Sequence, residues 1–535
     1  MNDTGSARNG LSRREVLGIG GAALATVVVG GGTAAAASGD VPPEHLAAEN
    51  ARALDQSVQR RAVPLSGLTD WTAAVAMVMA TGQSLSDGSE GWPRLTTSAR
   101  LGTLMLGGCE RPRYPNRTTY DVFGAEQLTP AVGAVNKPYQ GLNDHLYDDA
   151  EVAAFDHADL VDRNARGESG LLAALHQFKR MVLDRHGLPA DPARNLLGTN
   201  VAFGGQSIED LATYAGLAGS ARSKAAAAAA DDALTFQTLA VIHDQGQKNF
   251  SNASFDQTRA GFKTKTLDYL DAIRAQVAGA QPADSIPYLV RATGGFHVRD
   301  WTPPTGGTTP LDMSIAMAQY EIGRERGRPG KNNTFVSQAA AGVPSRYGGH
   351  PTVNGYRWIG CKDGQVLYHV LEEQRHWEPL MPLDDAAYLF GRTIVLPMSV
   401  PAPPLAFHDT FTRLTPTTFP DRGFSPVMTG DQSRLAIESI ALLDAVVVIT
   451  LAAEPPAGDL ALRYRGQDVF AGAGNLADSD ATVAVESYVY DAPAGMLAGE
   501  NIASLVGHPY PLHNACIPFQ VPVIRSHIRG VRSAL

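Results

Sequence analysis

Ala73 to Ala80 reads AAVAMVMA, a continuous apolar run with Gly82 just beyond it, and this pattern predicts a strand buried on both faces. Shorter apolar runs recur at Leu104–Leu106, Leu196–Phe203, Thr238–Ile242, Ile286–Val290 and Thr334–Val336. Between several of them, Gly170–Asp184, Gln257–Val277 and Met313–Arg326 carry apolar residues at spacings of about three and four, which predicts helices that each lay one face on a sheet. Alternating strands and helices of this kind predict an α/β core with a parallel sheet. Ahead of them, the spacing of Leu46, Ala47, Ala51, Leu54 and Val58 predicts a short amphipathic helix leading into the domain. The alanine run Ala225–Ala230 reads as plain helix, because Ala has the highest helix propensity.

The pattern changes near Met398–Pro404, where proline is concentrated and regular structure is hard to hold. Beyond it, Leu435–Ile440, Ala445–Leu451, Leu460–Tyr464 and Val483–Tyr490 bring β-branched and aromatic residues to near-alternating positions between Gly, Asp and Pro turns. These predict a smaller all-β domain over 404–535, read as a sandwich. The expected organisation is a signal segment at 1–37, a lead-in at 38–70, an α/β domain at 71–398 and the β-rich domain at 404–535.

Composition narrows the function. Apolar residues make up 44% and charged residues 18% of the 535 residues, ordinary values for a folded protein of more than one core. A formal net charge of -10 argues against nucleic acid as a partner, because phosphate binding needs clustered Lys and Arg. Cys109, Cys361 and Cys516 are too few and scattered for a disulfide framework or a metal cluster, and read as small buried apolar residues. No later segment has an apolar stretch long enough to span a membrane, so no membrane is expected after signal removal. At the N-terminus, Ser12-Arg13-Arg14-Glu15-Val16-Leu17 precedes a weakly hydrophobic Gly/Ala stretch and Ala35-Ala36-Ala37, and this resembles a twin-arginine export signal. That resemblance implies a fold formed in the reducing cytoplasm and a periplasmic or extracellular destination.

Four short motifs carry candidate chemistry. Thr81-Gly82-Gln83-Ser84 follows the first buried strand, and ligands of open parallel sheets bind outside the carboxyl ends of strands. Gly204-Gly205-Gln206-Ser207-Ile208-Glu209-Asp210 follows another, with glycines that let backbone N–H groups approach a ligand and Ser207 or Asp210 as capping residues. The third, His243-Asp244-Gln245-Gly246-Gln247-Lys248-Asn249, offers an Asn amide as an oxyanion donor; His243 and Asp244 point to opposite faces of a strand, which disfavours a metal. The fourth, Gly348-Gly349-His350-Pro351-Thr352, leads into Val353-Asn354-Gly355-Tyr356 and places His350 at a helix start, where an imidazole tends to stay neutral and basic.

In this order, GQS, GGxSI, QGxxN and HPTxxGY resemble blocks I, II, III and V of the SGNH hydrolase superfamily, and the nearest branch is the sialate O-acetylesterase-like carbohydrate esterases. The resemblance spans about Val75 to Gly360, interrupted by an atypical insertion around Glu151–Asp191. It implies a three-layer, flavodoxin-like α/β sandwich with Ser84 as nucleophile, His350 as base, and Gly205 and Asn249 as oxyanion donors. No cofactor is implied. Two positions depart from the branch: Gln247 stands where it usually has Glu, and Tyr347 stands where it has the Asp that orients the His. The imidazole is then held by a backbone carbonyl, or Asp87 or Asp244 substitutes, or catalysis is weak.

The expected function is an exported serine esterase that removes an acyl group, an O-acetyl above all, from a small-molecule or polysaccharide ester. The alternatives are a lipid or polyester esterase using the same site, and a non-catalytic carbohydrate-binding protein of the cell envelope.

Overall fold

Burial at every position of Val75–Gly82 (β1) makes this strand the centre of the molecule. The computed structural model describes residues 40–113, 117–136, 145–154, 165–251, 254–293, 313–327, 333–339, 343–346, 350–408, 421–466 and 474–526. Residues 1–37, read above as a signal segment, and Tyr347 lie outside the described residues. With β2 (Thr103–Leu106), β3 (Leu128–Pro130), β4 (Asn195–Asn200), β5 (Phe236–Asp244), β6 (Tyr288–Ala292) and β7 (Thr334–Ala339), β1 forms a seven-stranded sheet in the order β3-β2-β4-β1-β5-β6-β7. All neighbours pair in parallel except β3, which closes one edge antiparallel to β2. Without the two edge strands inserted after β1, the remaining strands run 2-1-3-4-5 in chain order, the order of flavodoxin-like doubly wound sheets.

Six longer helices flank the sheets: α1 (Pro43–Arg61), α2 (Gly170–His186), α3 (Ala215–Asp231), α4 (Arg259–Val277), α5 (Ser314–Arg326) and α6 (Val353–Leu367). Alternation along β1 splits its side chains between two layers. Val75, Met77 and Met79 pack with Leu217 of α3, Phe262 of α4 and Ile315 of α5. Ala76, Val78 and Ala80 pack with Leu171 and Phe178 of α2 and Val366 of α6. In α3, Leu217, Ala218, Ala221, Ala225, Ala228 and Ala229 are buried at helical spacing, so the alanine run is the thin inner face of a covering helix. Ser169 starts α2 by accepting a hydrogen bond from Leu171 N–H, and Thr352 does the same for α6 with Gly355 N–H. Those two helices touch so closely that a Cβ on Gly360 would lie 2.0 Å from Gly170 O. Helix α2 falls inside the segment read as an insertion, so that segment contributes part of the core rather than an appendage.

The second region differs from the expectation in two ways. Its main sheet has eight strands, with β8 (Ala387–Phe390), β9 (Thr393–Ser399), β10 (Phe424–Met428), β11 (Ile437–Leu442), β12 (Val446–Leu451), β13 (Leu460–Tyr464) and β14 (Phe519–Arg525) in the order β10-β13-β14-β8-β9-β12-β11, and Met381–Pro382 beside β9. Neighbours along this path are antiparallel apart from β8 and β14. This sheet therefore takes in Met381–Pro382, β8 and β9, all ahead of the expected start at 404, with β9 as an interior strand. It is also one broad sheet with small two-stranded ribbons, not two matched facing sheets.

Helix α1 belongs to this region too. Leu46 and Ala53 join the core of Val395 and Val447, and Arg52 pairs with Asp384 at 2.6 Å. The chain then returns to the helical layer of the first sheet. Ala484, Tyr488, Tyr510 and Leu512 pack on Ala173, Trp358 and Cys361. No helix among the described residues is long and apolar enough to cross a membrane. Cys109, Cys361 and Cys516 are all buried and carry no disulfide.

Gly82 ends β1 with φ 129°, and a Cβ there would sit 2.0 Å from Asp244 O on β5. Gly82→Ala must separate two central strands, so we expect a loss of at least about 2 kcal/mol of stability, read as a lower urea midpoint at unchanged slope.

Candidate active site

Parallel register brings three loops to one rim. Ala80 is opposite Asn200 and Gly82 is opposite Asp244, so the chain leaves β1, β4 and β5 on the same side. Beyond β1, Gln83 N–H donates to Asp244 O at 2.9 Å and starts the one-turn helix Ser84–Asp87. Ser84 is half-buried, and its hydroxyl makes no hydrogen bond among the described residues. Its backbone N–H, at the first helical position, is likewise unbonded there.

Beyond β4, Phe203 N–H donates to Gly82 O at 2.9 Å, tying the second loop to the first. Gly205 is exposed, and its N–H has no partner among the described residues. Ser207 and Asp210 form a capping box for the short helix Ile208–Leu211, so the capping roles read from the sequence are both filled.

His350 arrives from the loop after β7, two residues before the Thr352 cap of α6. Its Nδ1 donates to Glu90 Oε1 at 2.9 Å. With Nδ1–H committed to the carboxylate, Nε2 is the ring's acceptor. Two further residues join the histidine segment to the loop that carries Ser84. Arg346 Nη1 donates to Glu90 O at 2.9 Å. The Tyr356 hydroxyl donates to Ser89 O at 2.8 Å and to Ser84 O at 3.1 Å. Burial pushes that hydroxyl well above its ordinary range, so it stays a donor.

Glu90 itself sits at φ 63°, left-handed backbone that costs a non-glycine residue about 1 kcal/mol or more. It is held there by its N–H on Ala165 O at 3.1 Å and by Arg346 on its carbonyl. Its Oε2 is buried with no hydrogen-bond partner among the described residues. Residues held in strained backbone cluster at active sites, ligand clamps and switches.

Glu90 corrects the expectation that Asp87 or Asp244 orients the ring. Asp87 Oδ1 accepts from Ser89 N–H and Oγ–H, and its Oδ2 pairs with Arg166 at 2.6 Å. Asp244 faces Arg291 at 3.4 Å; burial raises its carboxyl, and that cation only partly offsets the effect. Both acids brace loops. His243 is fully buried in the neighbouring core, where desolvation pushes its imidazole down to about 3 and keeps it neutral.

Asn249 also departs from its expected role. It is fully buried, with Oδ1 accepting from Ile208 N–H at 2.9 Å and Nδ2 donating to Glu209 Oε2 at 2.9 Å and to Asp256 O at 3.4 Å. Its amide is spent on fixing the Gly205 loop and is not presented to Ser84. On the rim, the N–H groups of Ser84 and Gly205 are without a hydrogen-bond partner among the described residues. Gln247 accepts a hydrogen bond from Gln83 Nε2 and donates to Asp244 Oδ1, so it supports the turn that carries Ser84.

Ser84, Gly205 and His350 were singled out from the sequence, whereas Glu90, Arg346 and Tyr356, which the structure joins to the same loops, were given no role there. Tyr356 lay within the HPTxxGY stretch; Glu90 carried no signal beyond being an acid among glycines. Among the described residues no group of three or more His, Cys, Asp or Glu side chains is placed to hold a metal ion. Two cavities, one of about 400 Å³ beside Arg324 and Glu378 and one of about 530 Å³ beside Arg61 and His369, share no residue with the rim.

No family model matches the chain, and no curated protein sequence matches it. Solved structures do. A carbohydrate acetylesterase from Xanthomonas citri superposes with TM-score 0.45 at 12% identity, over 83% of this chain and 80% of that one. An active-site mutant of a family two carbohydrate esterase from Clostridium thermocellum gives TM-score 0.24 at 10% identity, over 58% and 64%. A peptidoglycan O-acetylesterase gives 0.26 at 14% identity, over 61% and 96%. All three scores lie below 0.5, and the features that define this site are visible in its own residues.

One of them titrates. Burial alone would raise the Glu209 carboxyl, but hydrogen bonds from Lys265 and Asn249 outweigh it and hold the group down at about 2, against an ordinary 4.5. A carboxylate lowered on folding stabilises fully above its ordinary value and loses that stabilisation as pH falls through the folded one. Unfolding free energy should therefore decline between about pH 4.5 and about pH 2, and Glu209→Gln should flatten that part of the curve in denaturant titrations.

Proposed function

We propose that the chain is a serine esterase of the SGNH type in which Ser84 attacks an acyl carbonyl, His350 moves the proton and Glu90 holds the imidazole. The observation that carries this reading is the 2.9 Å bond from His350 Nδ1 to Glu90 Oε1, a residue of the loop that begins at Ser84, whose hydroxyl has no hydrogen-bond partner among the described residues. His350 Nε2 takes the Ser84 proton as Oγ bonds to the carbonyl carbon, and the oxygen that gains charge is met by the N–H groups of Ser84 and Gly205. Collapse expels the alcohol, which receives the proton from His350, and leaves an acyl-serine. Water, deprotonated by the same nitrogen, then releases the carboxylic acid. Glu90 stabilises the imidazolium in both steps without itself taking the proton.

The substrate proposed is an O-acetyl ester of a carbohydrate, supported by the motif resemblance to sialate O-acetylesterase-like enzymes. Export by the twin-arginine route to the periplasm or beyond is part of the same proposal, and three cysteines without a disulfide are compatible with folding before export. The missing Asp at position 347 favoured a non-catalytic binder; Glu90 supplies a carboxylate by another route and removes that ground.

Ser84→Ala should abolish hydrolysis of p-nitrophenyl acetate and labelling by a fluorophosphonate probe while leaving the thermal transition in place. Turnover retained by that variant overturns the assignment. Glu90→Ala should lower kcat by about a hundredfold or more, as loss of the group that orients a catalytic histidine does. Asp87→Asn and Asp244→Asn should act chiefly on stability, because each leaves a buried arginine short of its counter-charge.

A further inference from the structure

The segment that joins β13 to β14 of the second sheet makes a contact with the loop that carries Ser84 and Glu90. Arg346 and Glu500 are both buried and form a bidentate pair, with Arg346 Nη2 donating to Glu500 Oε2 at 3.0 Å and Nε donating to Oε1. The remaining arm, Nη1, donates to Glu90 O. The guanidinium lies 3.7 Å from the centre of the Trp92 ring, which blocks one of its faces. Glu500 is fixed in turn, because the Tyr488 hydroxyl donates to Glu500 O at 2.6 Å.

The same segment grips the start of α6. Asn354 Nδ2 donates to Val489 O at 2.7 Å, Val489 N–H donates to Asn354 Oδ1 at 3.0 Å, and the Tyr510 hydroxyl donates to the same oxygen at 2.8 Å. His350 thus enters its helix between two contacts with residues that come more than a hundred positions later in the chain.

A buried ion pair contributes little net stability, since desolvation of both charges offsets their attraction. Geometry accounts for this one better. Glu90 occupies left-handed backbone, and without a donor on its carbonyl the peptide can relax and swing its carboxylate off His350. Glu500 fixes the plane of the guanidinium, and that plane fixes the peptide of Glu90.

We infer that Arg346 and Glu500 are positioning residues, and that through them the C-terminal segment is a working part of the catalytic unit that keeps the Glu90 carboxylate on His350. The inference rests on the Ser84–His350–Glu90 reading. Its test is run on the full chain with Glu500→Gln, Arg346→Met and Arg346→Lys, and Glu90→Ala as reference. Two quantities are read: the downfield Nδ1 proton of His350 in protein labelled with ¹⁵N-histidine, and kcat and KM on p-nitrophenyl acetate.

Glu500→Gln and Arg346→Met should lose or shift the His350 Nδ1 proton as Glu90→Ala does, and should lower kcat by about tenfold with KM within about twofold. Arg346→Lys keeps one donor for Glu90 O and should recover part of both. Should Arg346→Met fail to fold, the near-isosteric Glu500→Gln still decides. A Nδ1 proton and a kcat untouched by Glu500→Gln would overturn the inference. A Nδ1 proton that responds to Glu500→Gln in a protein without esterase activity would uphold the positioning link and reject the esterase reading.

Discussion

The parallel pairing of Val75–Gly82 with a neighbour on each side is the constraint on which the site depends. Hydrogen bonding in register forces Gly82 against Asp244 and Ala80 against Asn200, so three separate loops emerge at one edge of one sheet. The strand can occupy that position because its side chains are apolar on both faces and are taken up by helices from two layers. A glycine at its end lets the turn of Ser84 fold directly over the next strand. Ser84 is thereby held at a strand end by backbone geometry, with its hydroxyl and N–H unbonded among the described residues.

Around this rim the polar groups divide the work by burial. Asp87, Asp244 and Asp363 each face an arginine in the interior, where an unpaired charge would be costly. Glu90 is different: it meets a histidine, holds an unfavourable backbone angle, and keeps one oxygen without a partner among the described residues. Ion-paired acids shape the loops, and a hydrogen-bonded acid is left to serve the imidazole. Asn249 falls with the first group. Its four hydrogen-bonding directions are taken by loop backbone and by Glu209 and Gln245, so it makes the Gly205 turn rigid instead of entering it.

Much of the α/β layer was legible because continuous apolar runs and three-to-four spacing are local signals. The strands expected from AAVAMVMA and Thr238–Ile242 appear at Val75–Gly82 and Phe236–Asp244, and the helix expected at Met313–Arg326 appears at Ser314–Arg326. Pro397 and the prolines at 401, 403 and 404 look like a breaker in the sequence, whereas Pro397 lies within the interior strand Thr393–Ser399, opposite Val446. Ser84 and His350 stood out through short motifs. Glu90 did not, because its role comes from a left-handed turn and from a histidine 260 positions later, and neither is written in its neighbours. Asn249 misled for a similar reason: residue type and spacing match an oxyanion donor, but side-chain direction depends on Glu209 and the loop at Asp256.

Phe519–Arg525 lies in the middle of its sheet, between Leu460–Tyr464 and Ala387–Phe390. During synthesis the two flanking strands leave the ribosome well before the strand that joins them. Until then each presents an open, apolar edge of the kind that recruits other chains. Helix α1, made before any strand of this sheet, must also wait for it before Leu46 and Ala53 have a complete surface to cover. The nascent protein is therefore obliged to finish its β-rich half late, by non-local pairing, and its yield in a cell will depend on how well those two edges are shielded from each other's copies while translation runs on.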